Sequence, residues 1–263
     1  MSQKILISTT SLRNWNLNIN EQISVLTNFN IDGIELNFHS KEELRNLTLS
    51  QESLRTLKRF SFNTLHLPFR NITYAKKNVI LKRIKDIYRK INAKFIVVHP
   101  NITHDYSIFE GMNITIENYG LTRKQFLLFH FQEIINMVSK GILNINKEFS
   151  LVPDQNIKLH KDLMENKSLK LVLDTSHTMS FNNMEIKKYI DIYRERIAGI
   201  HLSTFNNYKN HNLLHKTDKS ILKHLDIIKE LRVPLILEEK FNHMQKDNIK
   251  KELSFIRTWL NKT

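Results

Sequence analysis

Ionisable side chains recur in this sequence directly after short apolar runs. His66 follows FNTL, His99 follows KFIVV and Glu117 follows NITI. Because the chain contains no cysteine, any metal ion must be held by imidazoles and carboxylates, the ligands that suit Zn, Mn or Co. The same position after an apolar run recurs at Asp174 (with His177 three residues later), at His201 and at Glu238, and Glu35 lies near the end of an earlier run.

The apolar runs themselves have the character of buried strands. They are short and rich in Ile, Leu and Val, which is typical of parallel strands that are covered on both faces. Segments between them repeat apolar residues at intervals of three and four, as amphipathic helices do. The predicted strands span residues 4–9, 32–38, 62–67, 94–99, 113–118, 169–175, 197–203 and 233–239.

Eight strands alternating with helices predict an α/β protein with a single (β/α)8 TIM barrel over residues 1–263. Two crossovers depart from the regular pattern. Only 13 residues separate His99 from Asn113, so the fourth crossover helix should be reduced to a loop or a single turn. Conversely, residues 120–168 form an insertion between strands 5 and 6, with room for helices near 122–140 and 156–166. Expected helix N-caps are Asn20, Ser40 and Asp218.

The carboxyl ends of parallel barrel strands meet on one face, where active sites are built. A lone histidine or glutamate at one strand end is more often a structural residue than a ligand. Here, six successive strands each end in a side chain that can bind metal. That joint pattern predicts a divalent metal site formed by Glu117, Asp174, His201 and Glu238.

Composition narrows the class of protein further. An apolar share of 41% can supply a large core and excludes a generally disordered chain. The absence of cysteine excludes disulfides, thiolate metal sites and cysteine nucleophiles. The formal charge of +14 has two interpretations. The charge indicates either a surface that binds nucleic acid or a general bias in composition. The second interpretation fits the even spread of lysine and the absence of a basic block.

No apolar run approaches the roughly 18–20 residues that span a bilayer. The apolar stretch after Lys4 is three residues long, too short for the core of a signal peptide. We therefore expect a cytoplasmic protein that does not bind membranes. A homo-oligomer is compatible with the sequence, which leaves the oligomeric state open.

Taken in order, the motifs HLP, VVHP, IEN, LDTSH, IHLS and LILE resemble the xylose isomerase-like barrel superfamily, also called the AP endonuclease family 2 fold. The resemblance covers residues from about 32 to 240. This superfamily includes sugar isomerases and epimerases as well as endonuclease IV. Each motif is short, and the six in order indicate the superfamily without specifying a branch.

In the isomerase and epimerase branch, the resemblance implies one metal ion held by a Glu, an Asp, a His and a Glu. Two glutamates there also move protons on opposite faces of the substrate carbon, and a histidine contacts substrate oxygens. The substrate would be a sugar or sugar phosphate, whose hydroxy-ketone a metal polarises. The residues that match are Glu117, Asp174, His201 and Glu238 as ligands, Glu117 and Glu238 also as catalytic acid/bases, and His177 as the histidine; Glu35 and Lys209 are assigned to substrate binding.

The endonuclease IV branch is the main alternative, a zinc-dependent phosphodiesterase acting on DNA. In that branch His66 and His99 match ligands of one ion, with Glu117 bridging to the next. Asp174, His201 and Glu238 match ligands of that second ion. His177 matches a ligand of the third ion, and His211 another ligand there. Closely spaced ions fit phosphodiester hydrolysis because they stabilise both the attacking and the leaving oxygen.

Several departures weigh against that alternative. Endonuclease IV has an aspartate two residues before the histidine matched by His211, where this chain has Lys209. A protonated lysine offers no lone pair and repels a cation, so a third metal is not expected. Thr204 in HLST replaces a usual aspartate, and FHSKEELRN leaves no room for a DNA-penetrating loop after the second strand. A barrel that binds a ligand without turnover is the third hypothesis.

Overall fold

A computed structural model describes residues 3–68, 79–100, 102–103, 105–120, 154–181, 184–206, 209–242 and 246–262. Of residues 154–158 and Lys209 it describes the backbone alone. The helix expected near 122–140, and most of the predicted insertion with it, lie outside the described residues.

Eight parallel strands close into a barrel, and each overlaps one of the predicted strands. The barrel strands are β1 Ile5–Ser8, β2 Gly33–Asn37, β3 Asn63–His66, β4 Ala93–Val98, β5 Ile114–Glu117, β6 Lys170–Asp174, β7 Ile197–Leu202 and β10 Leu235–Leu237. An antiparallel hairpin, β8 (Thr204–Asn206) with β9 (Lys209–Asn212), follows β7. Around the barrel the order is β1-β10-β7-β6-β5-β4-β3-β2, so the prediction of a TIM barrel is confirmed.

Helices surround the barrel, and the fourth crossover is reduced as predicted. Its described residues contain one 3₁₀ turn, Tyr106–Phe109. Within the described part of the chain, no helix combines the length and apolarity needed to cross a bilayer. The α-helices are Ile19–Leu26, Lys41–Asn46, Gln51–Arg59, Val79–Lys90, Asp154–Glu165, Thr175–Met179, Glu185–Tyr193, Lys219–Leu222 and Lys246–Leu260, and further 3₁₀ segments are Thr9–Trp15, Arg194–Arg196, Leu214–Lys216 and Lys223–Leu231.

Helix starts follow the expected capping chemistry with one correction. The prediction that Asn20 caps the first α-helix is wrong, because the Asn18 side chain accepts from the backbone N–H groups of Asn20 (3.0 Å) and Glu21 (3.2 Å). Ser40 is confirmed as an N-cap, and it begins a helix three residues after β2 ends. Asp218 lies at an N-cap position but makes no side-chain capping bond.

The barrel interior has an apolar lower layer. Leu6, Phe95, Val97, Val172 and Ile236 pack together inside the barrel, apart from the larger core between strands and helices. Side chains two positions apart on a strand point to the same face. The residues two positions further along these strands therefore also face the interior, nearer the carboxyl ends. These residues are polar: Ser8, His99, Asp174 and Glu238. The fold thus places ionisable groups directly above this apolar layer.

A buried network fixes the chain just after β10. The backbone N–H of Leu214 donates to Glu252 Oε1 (2.8 Å) and to Glu239 Oε1 (3.2 Å). Glu252 Oε2 accepts from the backbone N–H of His215 (3.2 Å) and contacts its Nδ1. Both glutamates are fully buried. This network joins the last helix to the residue that follows Glu238.

We expect Glu252→Ala to lower the free energy of unfolding by about 3 kcal/mol, since it leaves buried donors without acceptors. Denaturant titration measures the change. Glu230→Ala is the matched control, because Glu230 forms an exposed ion pair with Arg194 that contributes about 1 kcal/mol or less. Equal losses in the two variants would contradict this role for Glu252.

Candidate metal centre

The carboxyl ends of β5, β6, β7 and β10 bring four ligand side chains together. Asp174 and His201 are direct partners in the register of β6 and β7. One ligand atom from each of the four residues lies within 4.8 Å of the others, and all four side chains are buried. The group consists of Glu117, Asp174, His201 and Glu238, the four that the sequence predicts as metal ligands.

Glu117 occupies the middle of the centre. Its Oε2 lies 2.7 Å from His66 Nε2 and 3.3 Å from His99 Nε2. Its Oε1 lies 2.8 Å from His201 Nδ1 and 3.7 Å from His177 Nδ1. Burial alone would raise the pKa of the Glu117 carboxyl, but the surrounding imidazoles outweigh it and hold that pKa well below its usual value.

Each ring nitrogen of His201 faces at least one carboxylate. Nδ1 faces Glu117 and, at 3.5 Å, Glu238 Oε2, while Nε2 lies 3.2 Å from Glu35 Oε2. Thr64 Oγ1 donates to the same Glu35 oxygen at 3.2 Å. Burial disfavours the charged ring, but these carboxylates prevail and raise the pKa of His201 well above its usual value.

Asp174 presents one oxygen to the centre. Its Oδ1 accepts from the backbone N–H of His177 (2.7 Å) and from Ser176 Oγ (3.1 Å), so it caps the helix Thr175–Met179. Its Oδ2 is buried and accepts no hydrogen bond from any described residue. The Asn118 amide fixes this strand end, since it accepts from the Asp174 N–H (2.7 Å) and donates to the Asp174 carbonyl (3.1 Å).

Glu238 completes the group from the last barrel strand. Asn37 Nδ2 donates to Glu238 Oε1 at 2.8 Å, which orients the carboxyl group. Burial raises the pKa of Glu238 to about 8, although His201 opposes the shift. The pKa values of Glu238 and Glu117 are therefore displaced in opposite directions.

Two further groups of potential ligands surround the four. His66, Glu117 and His201 form one, and Asp174, His177 and His211 form the other. His211 lies on β9 with a φ of 63°, a left-handed conformation that is uncommon for residues other than glycine. Burial lowers the pKa of His99 to about 3, so that ring is neutral at physiological pH.

The donor set fits a divalent cation. Three carboxylates and one imidazole converge from four strands, and a buried Asp174 oxygen accepts no hydrogen bond from any described residue. The surrounding carboxylates raise the pKa of His201 and of His177 against the opposing effect of burial, and the same carboxylates would stabilise a bound cation. This donor set suits Zn, Mn or Co.

The structure places the other predicted site residues at different depths. Glu35 is fully buried beneath the cavity floor, where it contacts His201 and Thr64, so its position does not support direct contact with a substrate. The side chain of Lys209 lies outside the described residues. Sequence reasoning missed Asn37 and Asn118, although both follow or end barrel strands and that position could have identified them.

A cavity of about 400 Å³ opens above the centre. Its size is in the range of small-molecule sites. The floor carries the ionisable residues, and the walls come from the segments that follow the strands. The lining residues are Thr10, Arg13, Asn14, Asn37, His39, His66, His99, Glu117, Tyr119, Gly120, His177, Asn210, His211, Glu238 and Lys240.

Comparison with known proteins supports the fold. No family profile matches the sequence. A search of curated proteins also finds no match. Solved structures do match. A D-tagatose 3-epimerase-like protein has 17% identity and a TM-score of 0.58, covering 97% of this chain and 98% of that one.

Two further structures share the whole barrel. Endonuclease IV from Thermus thermophilus has 12% identity and a TM-score of 0.56, covering 99% of this chain and 100% of that one. A sugar phosphate isomerase/epimerase from Parabacteroides distasonis has 12% identity and a TM-score of 0.57, covering 97% and 98%. At these identities the likeness shows the TIM-barrel fold alone, which the sequence also predicts, and it does not select one activity.

We expect Glu35→Gln to weaken metal binding by about tenfold or more, because a neutral amide holds the Nε2–H of His201 less firmly than a carboxylate does. Competition titration with a chromophoric chelator measures the dissociation constant. Glu230→Gln is the control, since Glu230 is exposed and pairs with Arg194 at the surface. An unchanged constant in Glu35→Gln would contradict the orienting role.

Proposed function

We propose that this xylose isomerase-like barrel is a divalent-metal-dependent isomerase or epimerase of a sugar or sugar phosphate. The observation that carries the proposal is the group of four buried ligands at the floor of a small cavity, in which two of the ligands are glutamates. Acid/base chemistry at a carbon next to a carbonyl needs two such proton-moving groups within reach of one substrate.

The cation, when bound, polarises the carbonyl of a hydroxy-ketone and acidifies the neighbouring C–H. Glu117, Asp174, His201 and Glu238 would hold it. Glu117 and Glu238 would exchange the proton, one removing it and the other returning it. Their pKa values are displaced in opposite directions, low for Glu117 and about 8 for Glu238, which is a common property of acid/base pairs.

The surrounding imidazoles supply directional contacts for substrate hydroxyls. His177 is fixed from two sides, since its Nδ1 lies 2.9 Å from the Asn118 carbonyl and its backbone N–H is held by Asp174. Gly120 leaves the room that this arrangement needs, because a Cβ there would lie 2.9 Å from His177 Cα. The Nε2 edge of the ring is therefore the part of His177 available to a ligand.

The test is exchange of a substrate proton with solvent. We expect the protein, supplied with Mn, Co or Zn, to incorporate deuterium next to the carbonyl of at least one ketose or ketose phosphate in D₂O, detected by NMR. Glu117→Gln and Glu238→Gln should each slow the exchange by about 10² or more, the usual contribution of a general acid or base. Glu230→Gln, at the exposed surface, should not change it.

The metal content of the two glutamine variants separates loss of chemistry from loss of the ion. Exchange that persists in both variants while the ion remains bound would contradict the assignment of Glu117 and Glu238 as acid/bases. If a broad panel shows tight ligand binding but no exchange, a barrel that binds without turnover is favoured instead.

A metal-dependent phosphodiesterase is the second candidate, and one observation favours it. His66 and His99 both approach the Glu117 oxygen that faces away from His201, so a second cation could share that carboxylate. The direct passage from β2 into the helix Lys41–Asn46 opposes a DNA-binding role, since no long loop is present there.

Metal content per chain distinguishes the candidates. Elemental analysis of protein purified without added metal or chelator should give one tightly bound ion in the isomerase proposal, unchanged in His66→Ala. Two or more zinc ions, with one lost in His66→Ala, would favour the phosphodiesterase. Cleavage of a duplex containing an abasic site would then be the decisive assay.

A further inference from the structure

We infer that the cavity above the metal centre has an anion-binding subsite formed by Arg13 and Lys240, and that the substrate carries a phosphate or carboxylate group. Among the described residues, these are the only lysine and arginine side chains in the cavity wall. The inference deepens the proposed function and rests on it for the identity of the reacting part of the substrate.

Hydrogen bonds join the two segments that carry these cations. Arg13 belongs to the 3₁₀ segment Thr9–Trp15 after β1, and Lys240 follows β10, the neighbouring strand in the barrel. The N–H of Phe241 donates to the Ser11 carbonyl (3.1 Å), and Trp15 Nε1 donates to the Phe241 carbonyl (2.8 Å). Arg13 and Lys240 are therefore held on adjoining walls of one cavity.

A third bond links this wall to the metal centre. The N–H of Lys240 donates to the carbonyl of His211 at 3.1 Å. His211 Nδ1 in turn lies 3.9 Å from Glu238 Oε2, and His211 and Lys240 both line the cavity. The segment that carries Lys240 is therefore held next to the metal centre.

No described carboxylate neutralises either cation. Lys187, Lys188 and Lys229 each pair with an acidic residue on their own helix. Arg13 and Lys240 form no such pair with any residue that the structure describes. A guanidinium binds phosphate or carboxylate through two parallel hydrogen bonds, and an ammonium adds a second positive charge.

The arrangement separates two kinds of charge along the cavity. The carboxylates lie at the floor, where a cation and the reacting carbons of the substrate belong. The two cationic side chains lie in the wall near solvent, since both residues are exposed. A substrate with a polyol part and one anionic end matches this separation, whereas a neutral sugar would leave both cations without a partner.

The test compares two double variants that lose the same charge. Arg13→Gln/Lys240→Gln removes the subsite, and Arg55→Gln/Lys219→Gln removes an exposed arginine and an exposed lysine that do not line the cavity. Binding of inorganic phosphate and of malonate to the metal-containing protein is measured by calorimetry at constant ionic strength. We expect saturable binding of at least one anion, weakened tenfold or more in the first variant and less than twofold in the second.

Each outcome decides the inference. Stronger binding of phosphate would identify a phosphate ester, and stronger binding of malonate a carboxylate. Equal weakening in both variants, or anion binding unaffected by either, would overturn it, since the anion would then respond to net charge or to the metal alone. Binding of duplex DNA but of neither small anion would overturn it as well.

Failure of this inference remains distinct from failure of the proposed function. If the wild-type protein exchanges deuterium into fructose and fructose 6-phosphate with the same kcat/KM, the result supports the proposed reaction and contradicts the anion-binding subsite. If phosphate binding depends on Arg13 and Lys240 but no ketose incorporates deuterium, the result supports the anion-binding subsite and contradicts the proposed reaction.

Discussion

The site depends on one buried carboxylate. Glu117 is almost entirely shielded from solvent, and its two oxygens lie between imidazoles from four different parts of the barrel. An isolated carboxylate is costly to bury, so its charge has to be matched by donors or by a cation. Those partners come together only when the barrel closes. The chemistry of the site and the closure of the fold are therefore coupled.

The apolar lower layer of the barrel strengthens the electrostatic interactions of the Glu117 charge. Phe95, Val97 and Val172 fill the interior below the centre and exclude water from that side. Electrostatic interactions are stronger in such surroundings than in water. The pKa values of Glu238 and His99 consequently move far from their usual values, in each case with burial as the largest cause. A bound cation would replace protons that the buried groups otherwise have to hold.

The segments that follow the barrel strands form the walls of the cavity above the metal centre. The hairpin after β7 carries His211 toward Glu238, with 3.9 Å between Nδ1 and Oε2. Thr204, where the resemblance leads one to expect an aspartate, is fully buried, and its hydroxyl hydrogen-bonds Thr217 at 2.7 Å. That side chain anchors the hairpin. Similar strand ends can thus serve different substrates, because the segments between strands and helices form the cavity walls.

The sequence by itself determined the eight strands, the reduced fourth crossover and the ionisable residues at the strand ends. These features are local: an apolar run defines a strand, the side-chain period of two carries an inward apolar residue to an inward ionisable one, and the strand end places it on the active face. Asp174 and Glu238 could be identified in this way. The N-cap was misplaced by two residues, from Asn18 to Asn20, because both are asparagines in the same polar turn and only the hydrogen bonds distinguish them.

Only the tertiary structure decided which of these side chains meet. Glu35 faces His201 rather than the cavity, and Asn37 orients Glu238 across the junction of the first and last strands. Arg13 and Lys240 share a cavity wall although their segments lie more than two hundred residues apart. Such relations depend on barrel closure and on the depth of each side chain, and neither is encoded in the spacing of residues along the chain.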